Sequence, residues 1–191
     1  MTKYRSICRQ ELDRALFAGF VRRQEVTRCW RKADGAWVIR DVPFVDDWNE
    51  TDYAALVDCL RRTLAQGGFV YGAFQNGILK GFVSVEAGPL GSRGQYRDLS
   101  SLHVSQELRG QGIGAVLFLS AARWAAGQGG QKLYISAHSA VESQAFYRKM
   151  GCVEAEEYDP AHTAAEPCDC QLEYLLTDQT LNSHEKHCHH S

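Results

Sequence analysis

The sequence carries almost no net charge: 21 lysines and arginines stand against 23 aspartates and glutamates, a formal charge of -2. Such a balance leaves no strong field to recruit nucleic acid or an anionic membrane, so any electrostatic selection must be local. Also lacking is any run approaching the roughly 18 apolar residues of a membrane-spanning helix. The opening Met1-Thr2-Lys3-Tyr4-Arg5-Ser6 leads into no apolar signal-peptide core, and a cytoplasmic protein is expected. The seven cysteines are odd in number, scattered, and without paired C-x-x-C spacing, in a chain long enough to do without disulfide staples. Thiols are expected. Cys168 and Cys170 form a C-x-C pair with His184, His187, His189 and His190 downstream, but that spacing is not a structural zinc pattern, and no metal is expected.

What is present suits one globular unit. A chain of 191 residues, 45% of them hydrophobic, can bury a sizeable core, and a single domain over residues 1–178 with a polar, flexible tail at 179–191 is expected. Leu12, Ala15, Leu16 and Phe20 fall on one helical face, which predicts a helix from about Gln10 to Phe20. Ala33-Asp34-Gly35 marks a hairpin turn between apolar runs. Asn49 or Thr51 caps a helix carrying Tyr53, Leu56, Val57, Leu60 and Leu64, which Gly67-Gly68 ends. Two strands, Phe69 to Phe74 and Ile78 to Glu86, flank an Asn76-Gly77 turn. A third runs from Leu99 to Val104 and enters a glycine-rich corner. A helix with the stripe Ile113, Val116, Leu117, Ala121 and Trp124 starts inside that corner. After a short strand at Leu133 to Ala137, the spacing of Ser139 and Glu142 suggests a capping box opening a helix that stops at Gly151. Cys152 to Tyr158 and Gln171 to Leu176 read as a final strand pair.

The corner Arg109-Gly110-Gln111-Gly112-Ile113-Gly114 is where the chemistry concentrates. A strand that turns through glycines into a helix leaves the first helical NH groups unpaired at the positive end of the dipole, and this binds anions. Glycine admits a close approach of backbone to a diphosphate, and Arg109 adds charge. Two other readings compete. The glycines can serve only as a turn. Alternatively, Gly110-Gln111-Gly112-Ile113-Gly114-Ala115 fits a Rossmann fingerprint, but the next strand ends Ile135-Ser136-Ala137-His138 with no ribose-binding acid, and the preceding strands form a meander.

Taken in order, Leu102-His103-Val104, Arg109-x-x-Gly112-x-Gly114 and Ser143-Gln144-Ala145-Phe146-Tyr147-Arg148-Lys149-Met150-Gly151-Cys152 resemble the GNAT superfamily of N-acetyltransferases. The resemblance covers residues 69–176 as a cofactor-binding core and leaves 1–68 as a variable N-terminal part. It implies an α/β fold with a mixed, mostly antiparallel twisted sheet splayed at the cofactor cleft and flanked by helices. Acetyl-CoA is the implied cofactor. Its diphosphate would meet the loop formed by Arg109, Gly110, Gln111, Gly112, Ile113, Gly114 and Ala115. The pantetheine arm would run between the strand of Leu102, His103 and Val104 and the strand at 133–137, bordered by Ser139, Ser143, Phe146, Tyr147 and Lys149. Ala140 departs from the asparagine found seven residues before the tyrosine in many relatives. Ser139 or Ser143 can supply the missing contact.

Acyl transfer to an amine needs a neutral nucleophile, oxyanion stabilisation and a proton for the departing thiolate. The Val104 amide is the candidate oxyanion donor. Tyr147 either donates the proton or simply packs, and its face, shared with Ala140, Ser143 and Gln144, favours the first; Phe146 and Met150 read as the core side. Glu86 is the leading base, with Asp98, His103 or a water chain as alternatives. The acids Glu154, Glu156, Glu157, Asp159, Glu166, Asp169 and Glu173 suit either a cationic small-molecule or peptide amine or a solvated loop. Trp30, Trp37 and Trp48 either line a pocket or pack. A protein that binds acyl-CoA without transfer remains a rival reading. The oligomeric state stays open, and an edge strand in such a fold can pair across a homodimer.

Overall fold

The computed structural model of the protein describes residues 1–177. Two sheets meet along one strand path. The first holds β1 (Lys3–Ser6), β4 (Phe69–Gln75), β5 (Ile78–Val85) and β8 (Ser101–Val104), all antiparallel in the order β1-β4-β5-β8. The second has the order β10-β11-β9-β7-β6, from β6 (Pro89–Leu90), β7 (Tyr96–Asp98), β9 (Lys132–Ala137), β10 (Val153–Glu154) and β11 (Cys170–Leu175). Among the described residues only β7 and β9 run parallel. β2 (Arg23–Ala33) and β3 (Ala36–Asp47) form a long separate hairpin, whose Cys29 bridges to Ala140. This antiparallel character removes the Rossmann reading.

Among the described residues there are four α-helices: α1 (Glu50–Ala65), α2 (Ile113–Gly127), α3 (Val141–Met150) and α4 (Pro160–Ala165). The cap of α1 is the one expected: Asn49 Oδ1 accepts from the amides of Thr51 and Asp52, and Asp52 accepts from the Asn49 amide. Both hairpin turns hold positive φ at the anticipated pairs, Asp34-Gly35 and Asn76-Gly77. The largest core packs α2 against both sheets through Leu117, Phe118, Ala121, Val83 and Ile135. A second core lies under α1, with Leu12, Phe17, Phe20, Leu60 and Phe82.

Several expectations are corrected. No α-helix forms at 10–20; two short 3-10 turns, Arg9–Glu11 and Ala15–Phe17, take its place. Glu11 and Asp13 accept from the Cys8 and Leu16 amides and restart the turn twice, so Leu12, Phe17 and Phe20 reach the core without a helical stripe. On α2, Phe118 is buried where Val116 is exposed. Ser139 does not cap α3; its hydroxyl accepts from Arg31 at 2.6 Å, and the Ala140 amide is satisfied by His138 Nδ1. On α3 the fully buried residues are Gln144 and Tyr147, while Phe146 and Met150, read as the core side, are half-buried against the main core. The loop at 159–169 contains α4, capped by Asp159 with Pro160 in the first turn. The histidine-rich tail lies outside the described residues.

Candidate active site

β7 and β8 form one nearly continuous path that changes sheets. Its first half pairs with β9 through Tyr96, Arg97 and Asp98, and its second half pairs with β5 through Ser101 to Val104. The Leu99 amide donates to the Tyr134 carbonyl at 2.9 Å, and after that bond β8 and β9 part. A V-shaped cleft of about 950 Å³ opens between them.

The walls of the V carry backbone groups that lie outside the sheet ladders. Ser105 donates to the Lys80 carbonyl at 2.8 Å. Antiparallel ladders alternate, so the amide and carbonyl of Val104 point away from β5, toward the cleft. Arg109 Nε reaches that carbonyl at 3.2 Å. On the other arm, β9 beyond Tyr134 pairs with β11 alone among the described residues.

At the open end of the V lies the glycine corner. Gly110 and Gly112 hold φ of 78° and 83°, and a Cβ built on either meets no protein atom within 4 Å. The left-handed backbone requires glycine, and the space beside it is free for a ligand. The first helical bond of α2 runs from the Val116 amide to the Gly112 carbonyl, leaving the amides of Ile113, Gly114 and Ala115 as the orphan donors of the helix start. A diphosphate fits this cradle and an extended amide arm fits the V.

Most of the expected residues converge on this cleft. Leu102, His103, Val104, Arg109, Gly110 and Gly112 line it, together with Ile113, Gly114, Ala115, Ser143, Phe146, Tyr147 and Lys149. Gln111 and Ser139 are not among its lining residues, and neither is Glu86, whose Oε1 accepts from Thr63 and Ser100 at 2.7 Å each. His103 also lines the cleft, but its largely desolvated position and the nearby charges of Arg22 and Arg109 push it down to about 3. Its Nδ1 accepts from Arg22 Nε at 3.3 Å. It is therefore neutral with an occupied lone pair. Burial, followed by the charges of Cys152 and Asp169, pushes the Tyr147 phenol up, so it stays protonated near neutral pH. No hydrogen bond from its hydroxyl occurs among the described residues.

Sequence reasoning missed His162, Arg22 and His138, which also line the cleft. His162 stands on α4, within a segment expected to be a loop, and bonds Asp98 at 2.9 Å. Of the acids flanking the final strands, Glu166 and Asp169 face the cleft. The others have structural partners: Glu154 bonds Lys32, Glu156 and Glu173 bond Lys132, and Glu157 bonds Ser92 and Gln95. Asp159 caps α4. None of Trp30, Trp37 and Trp48 lines this cleft: Trp48 packs against His103 and Tyr53, while Trp30 and Trp37 border a separate cavity of about 120 Å³. No group of three or more metal-ligating side chains occurs among the described residues.

The sequence matches the family model described as the acetyltransferase (GNAT) family over residues 26–152. The chain belongs to this family. It is an acyltransferase, and acetyl-CoA is its cosubstrate. Among solved structures, nourseothricin acetyltransferase is similar at 18% identity, with a TM-score of 0.66, over 92% of this chain and 99% of the other. A putative streptothricin acetyltransferase from Bacillus anthracis, solved with acetyl coenzyme A, is similar at 16% identity and TM-score 0.65, over 92% and 98%. PaiA N-acetyltransferase from Thermoplasma acidophilum, solved with coenzyme A, is similar at 15% identity and TM-score 0.57, over 92% and 99%. At these identities the likeness is one of fold. A search of curated proteins finds no match. No described helix is long and apolar enough to cross a membrane.

Proposed function

We propose that this GNAT acetyltransferase moves the acetyl group of acetyl-CoA to a primary amine of a small molecule or peptide, by direct attack, in the cytoplasm. The supporting observation is the cleft itself, which joins the glycine corner at one end to the Tyr147 side chain within the V. In this reading the amides at the start of α2 bind the diphosphate, and the arm pairs with the free edges of β8 and β9. The Val104 amide receives the developing oxyanion, an interaction of a type worth roughly 3 kcal/mol in the transition state. Tyr147 protonates the departing thiolate.

Direct attack requires the amine to reach the thioester from the side opposite the cofactor loop. The cleft is also lined by Gln24, Glu25, His138, Glu166 and Asp169, and these polar side chains suit a polar amine. The test is release of free thiol from acetyl-CoA with spermidine, kanamycin, lysine and a tripeptide as acceptors. Turnover with any of these supports the proposal. Coenzyme A binding without turnover by any primary amine would instead favour the acyl-CoA-binding alternative.

A further inference from the structure

The reaction needs a group to take the amine proton, and the residues favoured from sequence do not serve. Glu86 lies outside the cleft, and the His103 lone pair is occupied. His138 Nδ1 is likewise taken, by the Ala140 amide.

His162 is placed differently. Its Nε2 lies 2.9 Å from Asp98 Oδ2, and the Asp98 side chain is only 14% exposed. The second oxygen, Asp98 Oδ1, is buried without a hydrogen-bond partner. This carboxylate therefore spends its one strong contact on the imidazole, fixing the tautomer with hydrogen on Nε2 and a lone pair on Nδ1. Nδ1 has no hydrogen-bonding partner among the described residues.

The backbone sets where this ring stands. Asp98 immediately precedes Leu99, whose amide makes the final bond before the V opens, so His162 sits at the closed end. Side chains alternate along a strand. Leu99 and Ile135 point into the core beneath α2, together with Tyr147, while Tyr134, paired with Asp98, carries the His162 ring at 5.4 Å. Acid and imidazole thus lie on opposite faces of the junction, as a thiol leaving on one side and an amine arriving on the other require.

We propose that His162, positioned by Asp98, is the general base for the acceptor amine, a proposal that rests on the acetyltransferase reading above. The amine lone pair forms the new C–N bond at the thioester carbonyl, the C–S bond breaks with its electrons passing to sulfur, and the amine proton passes through water in the cleft to His162 Nδ1, because Asp98 stands further down the strand path than Val104. Tyr147 supplies the thiol proton. The groups facing the imidazole are Asp98 from β7, Tyr134 from β9, Asp159 at the start of α4 and Asp169 ahead of β11, and Glu166 at the end of α4 lines the same cleft. The bond to Asp98 raises the imidazole pKa against desolvation, and the charges of Asp98, Asp159 and Asp169 add to it.

The test compares wild type with His162→Gln, His162→Ala and Asp98→Asn, using the fastest of spermidine, kanamycin, lysine and the tripeptide. With His162→Gln, kcat at pH 7 should fall about 100-fold. It should recover as pH rises and the amine neutralises itself, with coenzyme A affinity unchanged. Added imidazole should restore part of the His162→Ala rate, and Asp98→Asn should move the acidic limb to lower pH. A His162→Gln enzyme with the wild-type rate and limb overturns the proposal. So does a loss equal at every pH that imidazole does not rescue. Wild-type protein that binds coenzyme A but acetylates none of the four amines overturns the acetyltransferase reading, and the proposal with it.

Discussion

The Leu99 amide and the Tyr134 carbonyl, 2.9 Å apart, form the last rung between the β7–β8 path and β9 among the described residues. One step before it, Asp98 holds His162; a few residues beyond it, Val104 offers its backbone to the cleft. The catalytic assignments all follow from the place where two strands stop pairing.

Replacing Tyr147 by phenylalanine removes the proposed acid while keeping the ring, which packs edge-on against Phe118 and Phe146. A general acid contributes about 10²- to 10⁴-fold. Thiol release should slow by at least the lower figure, with little change in coenzyme A binding. Unchanged turnover would leave Tyr147 a packing residue.

Gly112→Ala places a side chain on a backbone with φ of 83°. The left-handed region costs a non-glycine residue about 1–2 kcal/mol. Relaxing that strain moves the amides proposed to bind the diphosphate, so coenzyme A affinity should fall about tenfold, read by calorimetry. Thermal melts should show the protein still folded, because no protein atom stands within 4 Å of the new Cβ. Unaltered affinity would reduce the glycine to a turn residue.

Asp169 carries a pH signature of the opposite sign to an ion-paired carboxylate. Burial, helped by the charge of Glu166, pushes it up to about 6 from an ordinary 3.8. The folded state therefore holds a proton that the unfolded state releases, and stability should fall as pH rises from about 4 to 6. Asp169→Asn should flatten this dependence and raise the melting temperature at pH 7. Identical melting curves from pH 4 to 7 for both proteins would remove the assignment.

Local chemistry made much of this legible in sequence. The Asn49 cap, the Asp34-Gly35 and Asn76-Gly77 turns and the glycine corner each depend on a few adjacent residues, and each forms as expected. Residues 10–20 misled because a spacing of apolar residues does not reveal side chains that interrupt a helix, as Glu11 and Asp13 do. The depth of burial on α3 is not legible because its stripe is mixed: Gln144 is buried, donating to the His138 carbonyl at 2.9 Å, while the apolar Phe146 and Met150 are only half-buried. His162 was invisible because Asp98 lies 64 residues away, and only tertiary pairing of β7 with β9 brings them together.

The account depends most directly on the grip of the glycine corner and the V on the cosubstrate. Titrating coenzyme A into the wild-type protein by calorimetry measures this without an acceptor. Saturable one-to-one binding, weakened in Gly112→Ala and retained in Tyr147→Phe, is the predicted result. No heat of binding with coenzyme A at millimolar concentration would contradict it.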